Sequence, residues 1–455
     1  MTIIKNGNLV AEDKVIREDL AVSEGKIARI APSIEPGPGD QVIDAAGFMV
    51  FPGFIDAHTH LDMDNGVTVT ADDFASGTLA ALLGGTTSII DFATQARGES
   101  LAKTLDKWHA QADGHCLCHY GCHMSITDWN QSVKAELPAM FGAGISSFKV
   151  YLSYDHLRVR DRDLFELLLE LRRLGGLVGV HCENGDLVNA GIQQQKELGH
   201  LEPIAHALSR PPLVEAEAVH RLLAIAKFAG CAVNVVHLSS GLGMEEIRRA
   251  RAAGQKVLAE TCPQYLLLED SCYKDPETGR NFVCSPPIRP EADRVALTEA
   301  VKSGEIDTVS TDHCSYTLAQ KAMGREDFSR IPNGLPGIEQ RPAAILGTFW
   351  GELSAPALAR LLAGNAARLY GMYPEKGVIR EGSDADLVLY DPGARTVISA
   401  KTQHMKADYT PYEGMTLKGA VRDVLLMGDH VVQKGRLAKA PKGCYLLRKA
   451  VDVSL

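Results

Sequence analysis

The stretch FPGFIDAHTHLDM, residues 51–63, is a short apolar run that ends in two histidines one residue apart. Side chains of a β-strand alternate between its two faces, so His58 and His60 would point to the same side. Two neighbouring imidazoles indicate a metal site, but the chain contains 15 histidines and one such pair arises easily by chance. The metal hypothesis therefore depends on whether other apolar runs end in further ligands.

Eight short apolar or β-branched runs occur along the chain, and most are followed by a segment with helical periodicity. The runs are FIDAHTH (54–60), TTSIIDF (86–92), HYGCHMS (119–125), SSFKVYL (146–152), LVGVHCE (177–183), AVNVVHLSS (232–240), KVLAETC (256–262) and DTVSTDHC (307–314). Helical candidates such as 161–176, 214–230 and 243–254 have apolar residues at three- and four-residue spacing and end at glycine. This alternation predicts an α/β fold with a TIM-like (β/α)8 barrel over residues 51–376.

The two ends of the chain have a different pattern. Residues 1–50 and 377–437 contain short β-rich runs separated by Asn-Gly, Glu-Gly, Gly-Ser and Gly-Asp turns. The simplest arrangement packs both ends together as one small β-sandwich, with the barrel inserted between its two parts. Residues 438–455 would then form a C-terminal tail, which we expect at a subunit interface.

Composition excludes several classes of protein. Hydrophobic residues make up 45% of the chain and charged residues 23%, and no apolar run has the length of a membrane span. The net charge of −10 argues against a nucleic-acid partner. The N-terminus lacks the pattern of a signal peptide, and the ten cysteines lack disulfide or Cys-x-x-Cys spacing. We expect a cytoplasmic protein with reduced thiols and a small neutral ligand.

Polar residues lie at or near the ends of several predicted barrel strands, where barrel enzymes place their chemistry. They are His58, His60, Lys149, His181, His237 and Asp312. Neutral imidazole and carboxylate suit zinc, and they also accept manganese, cobalt or nickel. The number of donor residues exceeds the number of ligands that one tetrahedral site needs. The pattern therefore predicts two divalent metal ions, with zinc as the first choice.

Lys149 is the unusual member of this set. An ammonium group has three donors and no acceptor, and a neighbouring dication would repel it. Addition of carbon dioxide to the amine would produce a carbamate, whose two oxygens can bridge two metals. The residues alone therefore leave Lys149 neutral, distant from the metals or chemically altered in this way.

The chain resembles the hydantoinases and dihydropyrimidinases, cyclic amidohydrolases of the amidohydrolase superfamily. The resemblance covers nearly the whole chain and is carried by GFIDAHTHLDM, GGTTSIIDF, SSFKVYLSY, VHCENGD, VHLSSG, AETCPQYLLLED, CSPPIR, STDHC and IPNGLPGIE. It implies a barrel with a sandwich built from both chain ends, and a homotetramer. It also implies that His58, His60 and Asp312 bind one metal, that His181 and His237 bind the other, and that carboxylated Lys149 bridges them.

The resemblance further implies how a cyclic ureide would be bound and hydrolysed. Tyr154 would donate to the scissile carbonyl, and Ser285 and Asn333 would offer main-chain contacts to the ring. Met63 and Leu152 are candidates for lining the pocket. Asp312 would act as general base and then acid beside a metal-bridging hydroxide, so that the product of a hydantoin or a 5,6-dihydropyrimidine is an N-carbamoyl amino acid.

Carboxylates and loop residues near these positions leave some roles open. Asp91 and Glu183 are candidates for orienting metal-binding histidines, or are ordinary polar groups at strand ends. Asp64 and Asn65 follow the His-x-His pair, and His156 and Arg158 follow Tyr154. Polar residues there weaken the expectation of a purely aromatic or aliphatic ring substituent.

Three alternatives follow from the same motifs. An allantoinase-like ureide hydrolase fits the polar loops. Dihydroorotase-like sites carry an arginine two residues after the His-x-His pair, where this chain has Asp62, which would repel an anionic substrate. A non-enzymatic scaffold of the collapsin-response-mediator type would lack metal ligands, whereas all six ligand positions here hold competent donors.

Overall fold

Residues 1–451 are described in the computed structural model, which begins with seven strands from the N-terminal part of the chain. They are β1 (Thr2–Lys5), β2 (Asn8–Val10), β3 (Val15–Arg17), β4 (Asp19–Ser23), β5 (Lys26–Ala31), β6 (Gln41–Asp44) and β7 (Met49–Pro52). Four of them form a sheet in the order β5-β4-β1-β6, while β2, β3 and β7 belong to a second sheet.

Eight parallel strands form the central sheet, at the positions of the eight predicted runs. They are β8 (Phe54–Asp56), β9 (Thr86–Thr94), β10 (His119–Ser125), β11 (Ser147–Tyr151), β12 (Leu177–His181), β13 (Val233–Val235), β14 (Val257–Thr261) and β15 (Thr308–Val309). Each pairs with its neighbour in chain order from β8 to β15. A parallel bridge between Thr59 and His313 joins the segments that follow the first and last strands, so the sheet is a nearly closed barrel.

Several barrel strands are shorter than the predicted runs. Strand β8 ends at Asp56, although the run was expected to continue to His60, and β15 contains only two residues. The amide of His60 donates to the carbonyl of His313 at 2.7 Å, which holds the two segments together beyond the strands. The metal-ligand candidates of these runs therefore lie just after the strands.

The C-terminal strands complete the second sheet. They are β16 (Leu387–Val397), β17 (Thr416–Leu426), β18 (Asp429–Gln433) and β19 (Arg436–Leu437), and the sheet order is β19-β18-β17-β16-β7-β2-β3. Residues Met49–Pro52 pair antiparallel with Leu387–Tyr390, so the two chain ends share one sheet. Apolar side chains of both sheets form one buried core, which includes Ile4, Leu9, Leu20, Val22, Ile27, Ile43, Val50, Leu387, Leu389 and Leu425.

Helices connect the barrel strands. They are α1 (Phe74–Leu83), α2 (Leu101–Ala112), α3 (Gln131–Gly142), α4 (Asp161–Leu174), α5 (Gly185–Glu197), α6 (Ile204–Leu208), α7 (Pro212–Ala229), α8 (Gly241–Ala252), α9 (Pro263–Leu267), α10 (Glu291–Lys302), α11 (Leu318–Lys321), α12 (Arg341–Phe349), α13 (Ala355–Ala359) and α14 (Asn365–Leu369). The predicted helical segments 161–176, 214–230 and 243–254 correspond to α4, α7 and α8.

Helix α4 illustrates why these segments are helical. It buries a stripe of leucines at three- and four-residue spacing, with acidic residues in its first turn and arginines in its last, as the helix dipole favours. It ends at Gly175, whose φ of 76° lies in the left-handed region that glycine adopts without steric cost. Gly230 ends α7 in the same way, with φ of 63°.

The tail packs against the barrel of its own chain. Main-chain hydrogen bonds join Tyr120 to Cys444 and Leu446, and Arg448 to Gly144, close to the N-terminal ends of β10 and β11. The buried guanidinium of Arg448 donates to Ser147 Oγ at 2.5 Å. The tail thus covers the barrel end opposite the candidate metal ligands. The expected subunit interface at 438–455 stays a prediction, and residues 452–455 lie outside the described part of the chain.

The domain boundaries at 50/51 and 376/377 also remain a prediction; strand β7 extends to Pro52 and β16 begins at Leu387. Within residues 1–451, none of the helices has the length and apolar character needed to cross a membrane.

Candidate metal centre

The six predicted ligands converge at the C-terminal ends of the barrel strands. Lys149 lies within β11 and His181 is the last residue of β12, while the other four follow their strands by a few residues. All six are buried or nearly so: the side chain of Asp312 keeps 14% of its surface exposed and that of His60 11%. Ligands from five different strands therefore meet because parallel strands bring their C-terminal ends to one rim.

Three of these residues form a compact group. The Nε2 atoms of His58 and His60 lie 3.2 and 3.1 Å from Oδ1 of Asp312. One ligand atom from each residue falls within 4.8 Å of the other two, which is close enough to bind a single ion. This is the set that the resemblance assigned to the first metal.

The remaining three ligands continue from that group without a gap. Lys149 Nζ lies 3.4 Å from His58 Nε2 and 3.5 Å from His237 Nε2. His237 Nε2 in turn lies 3.0 Å from His181 Nδ1. Lys149 thus occupies the position between the two histidine groups that a bridging ligand requires.

Two buried carboxylates determine which imidazole nitrogens face the centre. Glu260 accepts from Nδ1 of His58 at 2.7 Å, and Glu183 accepts from Nε2 of His181 at 2.8 Å. Arg210 and His181 outweigh burial and hold the pKa of Glu183 at about 2, so this carboxylate only accepts. Nε2 of His181 therefore carries the proton and Nδ1 presents its lone pair to the centre, while the contact with Glu260 fixes the orientation of the His58 ring. Arg210 donates to Glu183 at 3.0 Å and holds it in place.

Asp91 has a different role from the one considered for it. Its Oδ2 accepts from the hydroxyl of Thr59 and the amide of Leu61, both at 2.9 Å. Burial raises the pKa of this carboxyl to about 6. Asp91 therefore holds the Thr59 side chain and the Leu61 main chain on either side of His60, and within residues 1–451 it makes no direct hydrogen bond to the imidazole.

Electrostatics keep the donors in states that bind cations. Burial lowers the pKa of the imidazoles of His58, His181 and His237, which favours the neutral form that binds cations. Burial opposes ionisation of Asp312, but His58 and His60 outweigh it and hold the pKa of its carboxyl at about 2. Burial also lowers the pKa of the Lys149 amine, which favours the neutral form that can react with carbon dioxide.

Three residues of the site have left-handed backbone conformations. Their φ angles are 64° at Tyr154, 40° at His237 and 52° at Asp312. Such conformations cost a non-glycine residue on the order of 1–3 kcal/mol and occur often at functional sites. The surrounding fold maintains these angles at three residues of the site.

The predicted substrate contacts lie in loops around the centre. The Tyr154 ring centroid is 5.3 Å from that of His181, and burial raises the pKa of its phenol to about 12. Leu152 is buried and its amide donates to the carbonyl of His181. Ser285 is buried, and the Asn333 carbonyl accepts from the thiol of Cys314, two residues beyond Asp312. Met63 is half-buried in the loop after His60, where its main chain pairs with Thr70.

Sequence reasoning missed Glu260, Arg210 and Phe92. The Phe92 ring stacks against His60 with centroids 4.7 Å apart and also contacts His58 at 4.6 Å. An acidic residue inside the apolar run KVLAETC was the available signal for Glu260. Arg210 lies between α6 and α7, outside every predicted strand. No local sequence pattern indicated its contact with Glu183.

The residues present fit a pair of divalent ions. Four imidazoles and one carboxylate are donors that such ions prefer, and one lysine sits between the two groups. The buried Nδ1 atom of His237 has no hydrogen-bond partner among the described residues. Two of the imidazoles are oriented by buried carboxylates, an arrangement typical of metal-binding histidines.

A sequence model of the Amidohydrolase family matches residues 49–431, which is most of the chain and includes all six predicted ligands. The chain belongs to this family. It is 43% identical over 453 residues to a D-hydantoinase of Geobacillus stearothermophilus, with 98% of this chain and 96% of the relative covered. It is 42% identical to a D-hydantoinase of Ralstonia pickettii, with 98% of each covered.

Solved structures agree with these relatives. The fold superimposes on a dihydropyrimidinase from Brevibacillus agri with a TM-score of 0.97, at 39% identity and 99% coverage of both chains. An L-hydantoinase from Arthrobacter aurescens gives a TM-score of 0.89 at 30% identity, with 98% of this chain and 99% of that chain covered. The predictions of family, barrel-and-sandwich fold and hydrolase class are confirmed.

Proposed function

We propose that this amidohydrolase opens the ring amide of hydantoins, 5,6-dihydropyrimidines or both, and releases N-carbamoyl amino acids. The observation that carries the proposal is the convergence of four imidazoles, Asp312 and Lys149 at the rim of the barrel. Relatives named D-hydantoinase that match the whole chain support the choice of a cyclic ureide.

The six donors would hold two divalent ions, with zinc as the first choice and manganese, cobalt or nickel as the alternatives. His58, His60 and Asp312 would hold one ion, His181 and His237 the other, and carboxylated Lys149 both. Such ions lower the pKa of a coordinated water and polarise a carbonyl oxygen. The carbamate would form when the neutral Lys149 amine attacks carbon dioxide and releases one proton.

Asp312 is suited to move the proton of the reaction. Its low pKa keeps the carboxylate ionised at neutral pH, so it can accept a proton from the attacking water. The same group would then give that proton to the ring nitrogen as the C–N bond breaks. Oδ1 of Asp312 is already 3.1 Å from the ligand atom of His60, which fixes the carboxylate at the centre.

Tyr154 would stabilise the negative charge that develops on the carbonyl oxygen. Its phenol stays protonated at neutral pH because burial raises the pKa to about 12. A correctly placed donor of this kind is worth about 3–4 kcal/mol of transition-state stabilisation. Main-chain groups of Ser285 and Asn333 would hold the ureide ring, and Met63 and Leu152 would border it.

The loop geometry favours hydantoin and dihydropyrimidine over allantoin. The Asn65 amide donates to the Tyr316 hydroxyl at 2.9 Å, and its oxygen accepts from two amides of its own loop. Arg158 pairs with Asp155 and Asp186. Asn65 and Arg158 are engaged within the protein, so these two residues are not free to select a polar ring substituent.

A substrate panel tests the proposal. Dihydrouracil, hydantoin, 5-phenylhydantoin, allantoin and dihydroorotate would be incubated with metal-loaded protein, and the carbamoyl product would be measured. We expect turnover of one or more of the first three, abolished by chelation and by His181→Ala. Turnover of allantoin alone would contradict the proposal in favour of the allantoinase alternative, and two bound metals without any turnover would refute it.

We further propose a homotetramer in the cytoplasm. The tetramer is implied by the resemblance to the family and the cytoplasmic location is the expectation from sequence given above; sedimentation of the purified protein tests the first. A mass other than that of four chains would refute the tetramer.

A further inference from the structure

Lys321 is a fully buried lysine that the proposed chemistry does not use. It is the last residue of α11, nine residues beyond Asp312, and its side chain has no exposed surface. Its Nζ donates to the carbonyl oxygens of Val283 and Pro332, each at 2.7 Å. Burying an amine is costly unless it is hydrogen-bonded, so these two bonds are the reason that the side chain is tolerated there.

The two acceptors belong to the two loops that carry predicted main-chain contacts to the substrate. Val283 precedes Ser285 by two residues, and Pro332 immediately precedes Asn333. The amide of Gly334 also donates to the Val283 carbonyl at 3.1 Å. Lys321 therefore joins both loops, although it lies 38 residues after Val283 and 11 residues before Pro332.

The neutral amine of Lys321 has as many N–H donors as there are carbonyl acceptors around it. Burial lowers the pKa of the Lys321 amine to about 7, and a neutral amine has two N–H groups while the ammonium has three. Both carbonyl bonds can form in either protonation state. The contact therefore restrains the backbone without depending on a charge.

We infer that Lys321 is a positioning residue for ureide binding, because it fixes the backbone of Ser285 and Asn333 relative to each other. The inference rests on the proposed function, which makes these two residues substrate contacts. Loss of the amine would leave two buried carbonyls without this donor and let the loops separate. The metal ligands come from other segments, so metal binding would remain.

The neighbouring residue restrains a different loop. Gln320 Nε2 donates to the hydroxyl of Thr68 at 2.8 Å and to the carbonyl of Val69 at 2.7 Å. These residues follow His60 and lie beside the predicted position of the ring substituent. Replacing Gln320 therefore provides a contrast within the same helix, because its effect should depend on the substituent.

Steady-state kinetics of Lys321→Met and Lys321→Gln test the inference. We expect Lys321→Met to raise KM for every hydrolysed ureide by about tenfold, with a smaller change in kcat and two metals retained. Lys321→Gln, which keeps an amide donor, should recover part of the affinity. Lys376→Met, which removes another buried lysine far from these loops, should lower thermal stability without raising KM.

Hydrogen exchange tests the restraint without turnover. Peptides covering 283–289 and 331–339 should exchange faster in Lys321→Met than in the wild-type protein, and at the wild-type rate in Lys376→Met. Wild-type KM in Lys321→Met, unchanged exchange or loss of bound metal would each overturn the inference. Faster exchange in a protein whose wild-type form hydrolyses none of the ureides would instead refute the proposed function and support the loop restraint.

Discussion

The hydrogen bond between His58 and Glu260 joins residues 202 positions apart in the sequence. Glu260 is fully buried, and its second oxygen accepts from the hydroxyl of Ser310 at 2.9 Å. Loss of a carboxylate that orients a metal-binding histidine typically costs about 10–100-fold in metal affinity or activity. We expect Glu260→Gln to lower zinc affinity by about that factor, measured by competition with a chromogenic chelator.

A second carboxylate–histidine pair provides the control. Asp423 lies 3.0 Å from Nε2 of His430 in the sandwich, far from the centre. Asp423→Asn removes the same kind of contact and should leave zinc affinity unchanged. Equal losses in the two variants would mean that Glu260 acts through stability alone.

Lys149 gives the second prediction at the scale of single residues. Lys149→Ala removes the proposed bridge, so we expect loss of both bound metal and activity. Acetate or propionate supplied together with zinc should restore part of the activity, because a free carboxylate can occupy the place of the carbamate. A Lys149→Ala protein that binds two metals and turns over normally would contradict the bridging role.

Among the elements, one buried charged cluster joins the barrel to the sandwich. Lys376 Nζ lies 2.6 Å from Asp386 and 2.9 Å from Asp384, immediately before β16. Asp386 also faces His119, at the start of barrel strand β10, at 3.7 Å. Removing one partner of a buried ion pair costs about 3–5 kcal/mol, so Lys376→Met should lower the free energy of unfolding by about that amount.

An exposed pair of the same chemistry gives the comparison. Lys439 and Asp429 are 2.7 Å apart with most of both side chains exposed, and Lys439→Met should cost less than about 1 kcal/mol.

Burial opposes ionisation of Asp386, but Lys376 outweighs it and holds the pKa of this carboxyl well below its ordinary value. The contact between Lys376 and Asp386 therefore stabilises the folded protein above about pH 4, and this stabilisation is lost as the pH falls toward the lowered pKa of Asp386. A Lys376→Met protein as stable as wild type at pH 7 would refute the role of the cluster.

At the scale of the whole molecule, the proposed ions would bind only the folded chain. Their ligands follow or lie in five separate strands, and unfolding would disperse them. A ligand at about 1,000 times its Kd stabilises the native state by about 4 kcal/mol. We expect chelation to lower the midpoint of thermal unfolding and added zinc to restore it.

Lys149→Ala is the control for this effect, since it should bind metal weakly and respond little to chelation. A wild-type protein with the same unfolding midpoint before and after complete metal removal would contradict the proposed two-ion centre.

Local patterns were sufficient to predict most of the fold and the convergence of the candidate ligands. The eight runs and the glycine-terminated helices depend on residues near one another in the chain, and apolar periodicity reports that local geometry. Placing His58, Lys149, His181 and the other ligands at one rim followed from a general property of parallel barrels. The sandwich from both chain ends was predicted from the β-rich turn patterns.

Only the tertiary structure decided which distant groups meet. Glu260 orients His58, Arg210 supports Glu183, and Lys321 joins two loops, although no local periodicity links the members of each pair. Strand β8 also ends before His58, where the predicted run continued. The sequence by itself determined the elements and the ligand types, because these follow from neighbouring residues; the hydrogen-bond partners of buried polar groups depend on how the elements pack.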